Sequence, residues 1–426
     1  MSAQPADVGD RPARKPETWQ RLTALFVIAS FVETIGFGHF FAFLPILVRH
    51  LGVTGESVAP TVGILSTVAL VLGMPLVPFW GAWADRYSRK AIIVRSAVVE
   101  AILWLMLAMA NQIWEVFLLV PLAGLALGNT GVMLAEITDR TPRQRLGFAM
   151  SLVGTAAPLG VSLGPGFGGL LADSFGVQSL FLLDAFLTAV VVVLLMALYH
   201  ELPDRPRATV SVMTLVRRSL SAVIRTPVAR AVFAAYFFLL LGQRVVFPYL
   251  AIWVESINGP AMLATAVGFV AGAYGIAASI GSPLAGRLGD RIGYRRVFGA
   301  AIVLVAACFV GTWFLRDLLP FGVVYAAYGV GFATASSMLY TILATGLPAD
   351  VRSPILNLAL VPLYVSGILG SLVSTQILVW TAGDVRPLWL LGAAVVVLAL
   401  LPLLTAPQRG TLPVDDTAQS RAVTDA

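Results

Sequence analysis

From residue 22 onward the chain alternates long apolar runs with short charged or turn-rich connections, and it does so twelve times. Each run is near the roughly 20 residues that a helix needs to cross a hydrocarbon layer about 30 Å thick. The runs cover residues 22–48, 60–83, 91–110, 113–135, 146–171 and 177–199 in a first half. In a second half they cover 230–254, 263–285, 296–315, 318–345, 355–379 and 386–405. In lipid every backbone N–H and C=O needs an internal partner, so only helices or closed barrels span it. The runs are continuous and lack the alternation of barrel strands, which selects helices. Composition agrees: 58% of the residues are hydrophobic and 12% charged, against about a quarter charged in a soluble domain.

Positive charge orients the spans. Of the 28 Lys and Arg, Arg49, Arg316 and Arg386 lie in the odd-numbered connections and Arg244 lies inside a span. The other 24 fall in the tails and the even-numbered connections or, as with Arg95, Arg230 and Arg296, in the span ends that adjoin them. Cationic loops stay on the cytoplasmic side, so both termini are expected there. The net charge of +6 is therefore a topology signal, and nucleic acid is not an expected partner. The chain divides into a cytoplasmic tail over 1–21, a six-helix bundle over 22–200, a cytoplasmic linker over 201–229, a second bundle over 230–405 and a tail over 406–426. The first apolar run is too long for the core of a cleavable signal peptide.

Within the linker, Val212, Leu215, Val216, Leu220, Val223 and Ile224 recur at helical spacing, with Arg218 and Arg225 turned away. An amphipathic helix on the cytoplasmic leaflet fits this pattern; a solvated connector is the alternative. The single cysteine, Cys308, lies in an apolar run and suits core packing. The histidines are His39, His50 and His200, with no H-E-x-x-H motif. No metal, cofactor or enzyme activity is expected.

One charged turn occurs twice. Gly81-Ala-Trp-Ala-Asp85-Arg86-Tyr-Ser-Arg89-Lys90 follows span two, and Gly286-Arg-Leu-Gly-Asp290-Arg291-Ile-Gly293-Tyr-Arg295-Arg296 follows span eight, 205 residues later. Two copies in register point to parallel repeats related by an axis along the membrane normal. The glycines would let helices approach closely, the Asp would cap the next helix, and the remaining cations would meet anionic headgroups.

These residues resemble the signature loop of the major facilitator superfamily, G-x-L-x-D-R-x-G-R-K/R. Asp85, Arg86, Arg89 and Lys90 match it, with Trp83 for Leu and Ser88 for Gly; Asp290, Arg291, Gly293 and Arg295 match in the second copy. The resemblance covers roughly residues 20–405. It implies an all-α integral membrane protein of twelve transmembrane helices in two pseudo-symmetric six-helix bundles, with rocker-switch alternating access. It also implies that the Asp/Arg loops latch the cytoplasmic side in the outward-facing state.

Span five carries Gly160-Val-Ser-Leu-Gly164-Pro165-Gly166-Phe-Gly168-Gly169. Small residues at i, i+4 and i+8 leave a groove that a neighbouring helix can enter, and the proline removes one backbone donor. The pattern is similar to the antiporter motif of proton-driven exporters in the same superfamily. Span eleven keeps Gly367 and Gly370 without a proline. By resemblance the chain looks like a twelve-helix bacterial drug:proton antiporter of the cytoplasmic (inner) membrane.

Ionisable groups at membrane depth cost about 2.5–3.5 kcal/mol each on insertion scales, so each is a functional candidate. They are Glu33 and His39 in span one, Glu100 in span three, Asp184 in span six and Arg244 in span seven. The resemblance places spans one and seven at the central cavity, which makes Glu33 and Arg244 the leading pair. Phe37 and Phe40 share the Glu33 face, suiting lipophilic cations; Gln243 and Phe247 flank Arg244. Structural roles for Glu33, His39 and Arg244 are the alternatives. Glu100 and Asp184 fall in spans expected at the bundle periphery. Many of the family's antiporters have an arginine in span four where this chain has Val120 and Pro121, just before Gly124. The expected function is export of amphiphilic small molecules in exchange for protons. A facilitator or symporter of a sugar-like or organic-anion solute, or a lipid or glycolipid flippase, is the alternative.

Overall fold

The structure is a computed structural model, and it describes residues 18–126, 129–201, 211–347, 355, 358 and 361–404. Most of both tails and residues 202–210 of the linker therefore lie outside the described residues, as do the side chains of Asp85 and Leu215.

Twelve helices are long and apolar enough to cross a membrane. They are α1 Trp19–His50, α2 Gly55–Leu76, α3 Arg89–Met109, α4 Ile113–Arg140, α5 Gln144–Phe175 and α6 Val177–Leu198. The second half holds α7 Pro227–Asn258, α8 Leu263–Ile292, α9 Tyr294–Thr312, α10 Leu318–Leu343, α11 Val361–Trp380 and α12 Arg386–Leu404. All described regular structure is helical, which is the fold class expected from hydropathy. The twelve runs correspond one to one with the twelve helices.

Several spans are interrupted where the sequence removes backbone donors. A 3-10 turn at Met74–Leu76 ends α2, and a further helical segment, Val77–Arg86, carries the chain to the signature loop. In α4 the turn Val120–Leu122 contains Pro121, and in α7 the turn Phe247–Tyr249 contains Pro248. Proline lacks an N–H and leaves one carbonyl without its helical partner, although Pro45, Pro158, Pro165 and Pro283 are carried inside continuous helices. The breaks in α2 and α4 meet: a Cβ on Gly124 would stand 2.3 Å from the Gly73 nitrogen. Only glycine permits this approach.

The linker segment Val212–Arg225 is a helix, with the Ser211 hydroxyl accepting the Thr214 N–H at 3.2 Å. It packs against Val77–Arg86 and the start of α7. Val216 is buried beneath it, while Leu220 and Ile224 are exposed, as suits a helix with an apolar face turned to a leaflet.

Two helix pairs make the main seams between the halves, α5 with α8 and α2 with α11. At the end away from the termini, Arg49 of α1 pairs with Glu255 of α7. There too, Asp173 of α5 accepts the N–H groups of Ala264 at 3.3 Å and Thr265 at 2.7 Å. Those are orphan donors of the first turn of α8, which a carboxylate satisfies well.

Candidate transport site and loop networks

The antiporter-like stretch of α5 is a double-sided seat. On one side, a Cβ on Gly160 would lie 2.1 Å from Thr34 Oγ1, one on Gly164 3.2 Å from the Ile35 Cα, and one on Gly168 2.4 Å from His39 Nε2. The groove formed by i, i+4 and i+8 therefore receives α1. Pro165 frees the carbonyl of Val161, which lies against Gly38, where a Cβ would be only 2.7 Å away. On the other side, a Cβ on Gly169 would stand 2.2 Å from the Ala264 carbonyl, and one on Gly268 2.3 Å from the Pro165 carbonyl. Gly166 lies opposite Gly272. One helix thus presses on α1 of its own half and on α8 of the other.

The intramembrane ionisable groups separate into two places. In the first half, Glu33 accepts a hydrogen bond from Asn129 Nδ2 at 2.7 Å, and Glu100 accepts one from Trp104 Nε1 at 2.9 Å. Between Glu33 and Glu100 lies a water-sized cavity lined by Asn129 and Thr188 and by apolar residues such as Val32 and Val191; its four polar side chains could partner a water. Asn129 Oδ1 and Thr188 Oγ1 are buried there without a protein partner. Glu100 is within electrostatic reach of both Glu33 and Asp184. Asp184 meets His39 Nδ1 at 2.9 Å, and His39 Nε2 meets the Gly164 carbonyl at 2.9 Å. Glu100 and Asp184 are 1% and 2% exposed. Both spans keep many apolar side chains exposed, such as Met106 and Phe186, but the two carboxylates lie on the buried sides of their helices.

In the second half, Arg244 stands over the rings of Phe41 at 5.4 Å and Phe247 at 5.7 Å, with Tyr236, Tyr274 and Tyr328 within electrostatic reach. It has no ion-pair partner among the described residues, and its Nε is buried without a hydrogen bond. Glu33 and Arg244 therefore do not form the pair that their spans suggested, because Glu33 turns to Asn129. Gln243 and Phe247 are half-buried beside Arg244.

Phe37 and Phe40 are also corrected. They are buried against Trp104, with centroids 5.3 and 6.2 Å away, and Phe181 stacks on that indole at 6.0 Å. They are core residues of the first bundle. Phe41 is the aromatic residue that reaches the second half, 6.1 Å from Phe247. One residue of helical rotation separates the two roles. Asn129, Thr188 and Phe41 escaped sequence reasoning because neutral polar and aromatic side chains carry no distinguishing signal in an apolar span.

The charged loops form networks within each half. Ser88, which stands where the signature has glycine, caps α3 by accepting the Ala91 N–H at 3.0 Å. Glu201, beyond the end of α6, accepts from the Ser88 hydroxyl at 2.9 Å and from the Lys90 N–H at 3.0 Å, and also from the Arg89 N–H. Arg89 is 5% exposed and bonds Glu136 at 2.8 Å and Asp139 at 2.7 Å. Arg140 pairs with the same Glu136 and donates to the His200 carbonyl at 2.5 Å. Lys90 donates to the carbonyls of Met196 at 2.9 Å and Tyr199 at 2.5 Å. Burial pushes the Tyr199 hydroxyl above its ordinary pKa, so it stays neutral beside these charges.

Arg89 and Lys90 are thus bonded within the protein and do not meet headgroups as expected. Arg86 lies over the exposed Tyr87 at 5.7 Å. The side chain of Asp85, expected to cap α3, lies outside the described residues.

In the second copy Asp290 accepts the Tyr294 hydroxyl at 2.6 Å, and Arg295 donates to the Leu403 carbonyl at 3.2 Å. Arg291 is exposed in the last turn of α8. Gly293 has φ +96° between α8 and α9, a conformation glycine adopts without a Cβ penalty. Ser88 is extended at φ −153°, so the first copy can use a hydroxyl there. Gly81 and Gly286 have open space where a Cβ would go. The close helix approach expected at these two glycines is not what the structure has.

Twelve membrane-length helices in two halves, with ionisable groups held at mid-span, define a polytopic membrane transporter. The chain belongs to the Major Facilitator Superfamily, whose family model matches residues 26–267 and again 232–424. The multidrug resistance protein MdtG of Enterobacter lignolyticus is 32% identical over 314 residues, covering 72% of this chain and 74% of its own. The multidrug resistance protein MdtG of Citrobacter koseri is 28% identical over 334 residues, covering 78% and 82%. Among solved structures, the nucleoside transporter NupG shares the fold with a TM-score of 0.71 at 17% identity, over 90% of this chain and 98% of its own. The human organic anion transporter MFSD10 does so with 0.67 at 17%, over 92% and 100%.

Proposed function

We propose that this transporter exports amphiphilic small molecules, drugs included, across the bacterial cytoplasmic membrane by alternating access, in exchange for entering protons. The observation that carries the reading is the α5 seat, whose glycines hold α1 on one side and α8 of the other half on the other. It joins the acid-bearing helix to the surface along which the halves would rock. The names of the MdtG relatives support the substrate class. The buried series Glu33, Glu100 and Asp184 supports proton exchange, because carboxylates at this depth are candidates for proton relays. With both termini cytoplasmic, the Arg49–Glu255 pair and the Asp173 cap lie at the outer end. The signature loops then lie at the cytoplasmic end, where they would latch and release.

A second reading has one observation behind it. Arg244, without an ion-pair partner among the described residues and ringed by aromatic groups, suits an organic anion or an acidic group on an otherwise apolar substrate.

One experiment addresses both. A pump-deficient bacterium expressing the chain should accumulate less ethidium, and Glu33→Gln should remove the difference. An anionic dye extruded in its place, with loss on Arg244→Gln, would select the anion reading. Unchanged accumulation across a broad dye and antibiotic panel would overturn export of drugs.

A further inference from the structure

We propose that His39 and Asp184 together form the proton-binding site of the exchange, with the Gly164 carbonyl of α5 registering whether the proton is present. This rests on the proton-coupled reading above and adds which groups carry the proton and what their charge moves.

The argument begins with a count of hydrogens. His39 Nδ1 faces the Asp184 carboxyl at 2.9 and 3.0 Å, and Nε2 faces the Gly164 carbonyl at 2.9 Å. A carbonyl only accepts, so Nε2 carries a hydrogen. The Nδ1 contact needs a second one, on the ring as imidazolium or on the carboxyl as acid. In either form the pair is electrically neutral as a whole and holds one proton more than a neutral imidazole beside a carboxylate. At membrane depth that neutral state is the one favoured by the surroundings.

Release of this proton to water leaves one N–H and two acceptors. The carboxylate takes it, since a charge-assisted hydrogen bond is about twice as strong as a neutral one. The Nε2 lone pair then faces the Gly164 carbonyl oxygen, and attraction becomes repulsion. The ring has little freedom to turn away: it stacks on Phe43 at 6.1 Å and lies where a Cβ on Gly168 would be 2.4 Å from Nε2. The strain falls on α5. Its opposite side seats Ala264 and Gly268 of α8, and its far end caps α8 through Asp173. Loss of the proton thereby loosens the contact between the halves, and rebinding restores it.

Glu100 of α3 is within electrostatic reach of Asp184 and of Glu33 on α1. The other charged groups of the packed helices lie toward helix ends: Arg21, Arg49 and His50 on α1, Arg89, Lys90 and Arg95 on α3, and Arg145 and Asp173 on α5. Apart from Asp184, α6 carries no charged residue. Beyond Glu100, the water-sized cavity that it lines with Glu33 and Asn129 would carry the proton onward.

Two measurements on the full-length protein test this. In the first, spin labels replace the exposed Phe148 of α5 and Leu288 of α8 in a Cys308→Ser background, and distances are read across a pH series without substrate. The distance distribution should shift as pH rises, Asp184→Asn and His39→Gln should abolish the shift, and Glu33→Gln should keep it. A shift that persists in Asp184→Asn and His39→Gln, or is absent from the parent, overturns the proposal. In the second, ethidium is added to lightly buffered purified protein and released protons are counted. Asp184→Asn should still bind ethidium and perform ethidium–ethidium exchange, yet release no proton and lose gradient-driven transport. Proton release intact in Asp184→Asn but lost in Glu33→Gln would assign the proton to Glu33. A pH-driven shift that depends on Asp184, in a protein that exports no dye, would leave the proton site standing and remove the drug-export reading.

Discussion

At the scale of single residues, the glycines of this chain differ in what they face, and that difference is measurable. A Cβ at Gly168 would meet His39 Nε2 at 2.4 Å, whereas one at Gly81 meets nothing within 4 Å. Overpacking a tight interior typically costs about 1–3 kcal/mol. Gly168→Ala should therefore lower thermal stability in detergent by a cost in that range and abolish efflux, while Gly81→Ala, inside a helix with room for a Cβ, should leave the melting temperature unchanged or raise it slightly. Equal melting temperatures for the two variants would show that α1 yields at His39. Sequence pattern alone ranked both glycines as motif residues, since spacing reports identity and not the atom opposite. The ionisable residues tell the same story. His39 and Asp184 are 145 positions apart, and only the rotation of α1 and α6 about their axes brings them together.

At the scale of elements, the amino end of α3 is held by a network that the signature loop only partly reveals. Ser88 and Glu201 satisfy its first N–H groups, and Arg89 ties it to α4 through Glu136 and Asp139. Removing one member of a buried ion pair costs about 3–5 kcal/mol because the other is stranded. Arg89→Ala should cost about 3 kcal/mol, since Arg140 still pairs with Glu136. Arg89→Lys should recover only part of this, because one ammonium lacks the guanidinium's forked donors. The check is thermal unfolding followed by tryptophan fluorescence or by size-exclusion after heating. The doubled turn was legible in the sequence, and so was the helix Val212–Arg225. The partners Glu136, Asp139 and Glu201 were not, because they come from helix ends that meet α3 only in space.

For the whole molecule, the asymmetry of positive charge makes a direct prediction. Fusion of a fluorescent reporter that matures only in the cytoplasm to the carboxyl end should glow, and a periplasm-dependent phosphatase fused there should be inactive. The reverse result would invert the assignment of outer and cytoplasmic ends. Sequence by itself determined the number of spans, the division into two halves, the expected orientation and the family resemblance. Those properties are sums over local composition: lipid selects about twenty apolar residues at a time, and loop charge acts connection by connection. Tertiary structure decided which side of each helix meets its neighbour. It separated Glu33 from Arg244, withdrew Phe37 and Phe40 into the core, and joined His39 to Asp184 beneath the α5 glycines. In lipid an apolar side chain gains little by facing protein over hydrocarbon, so the rotation of a span is set by packing and polar contacts. Those are properties of helix pairs, and no single span contains them.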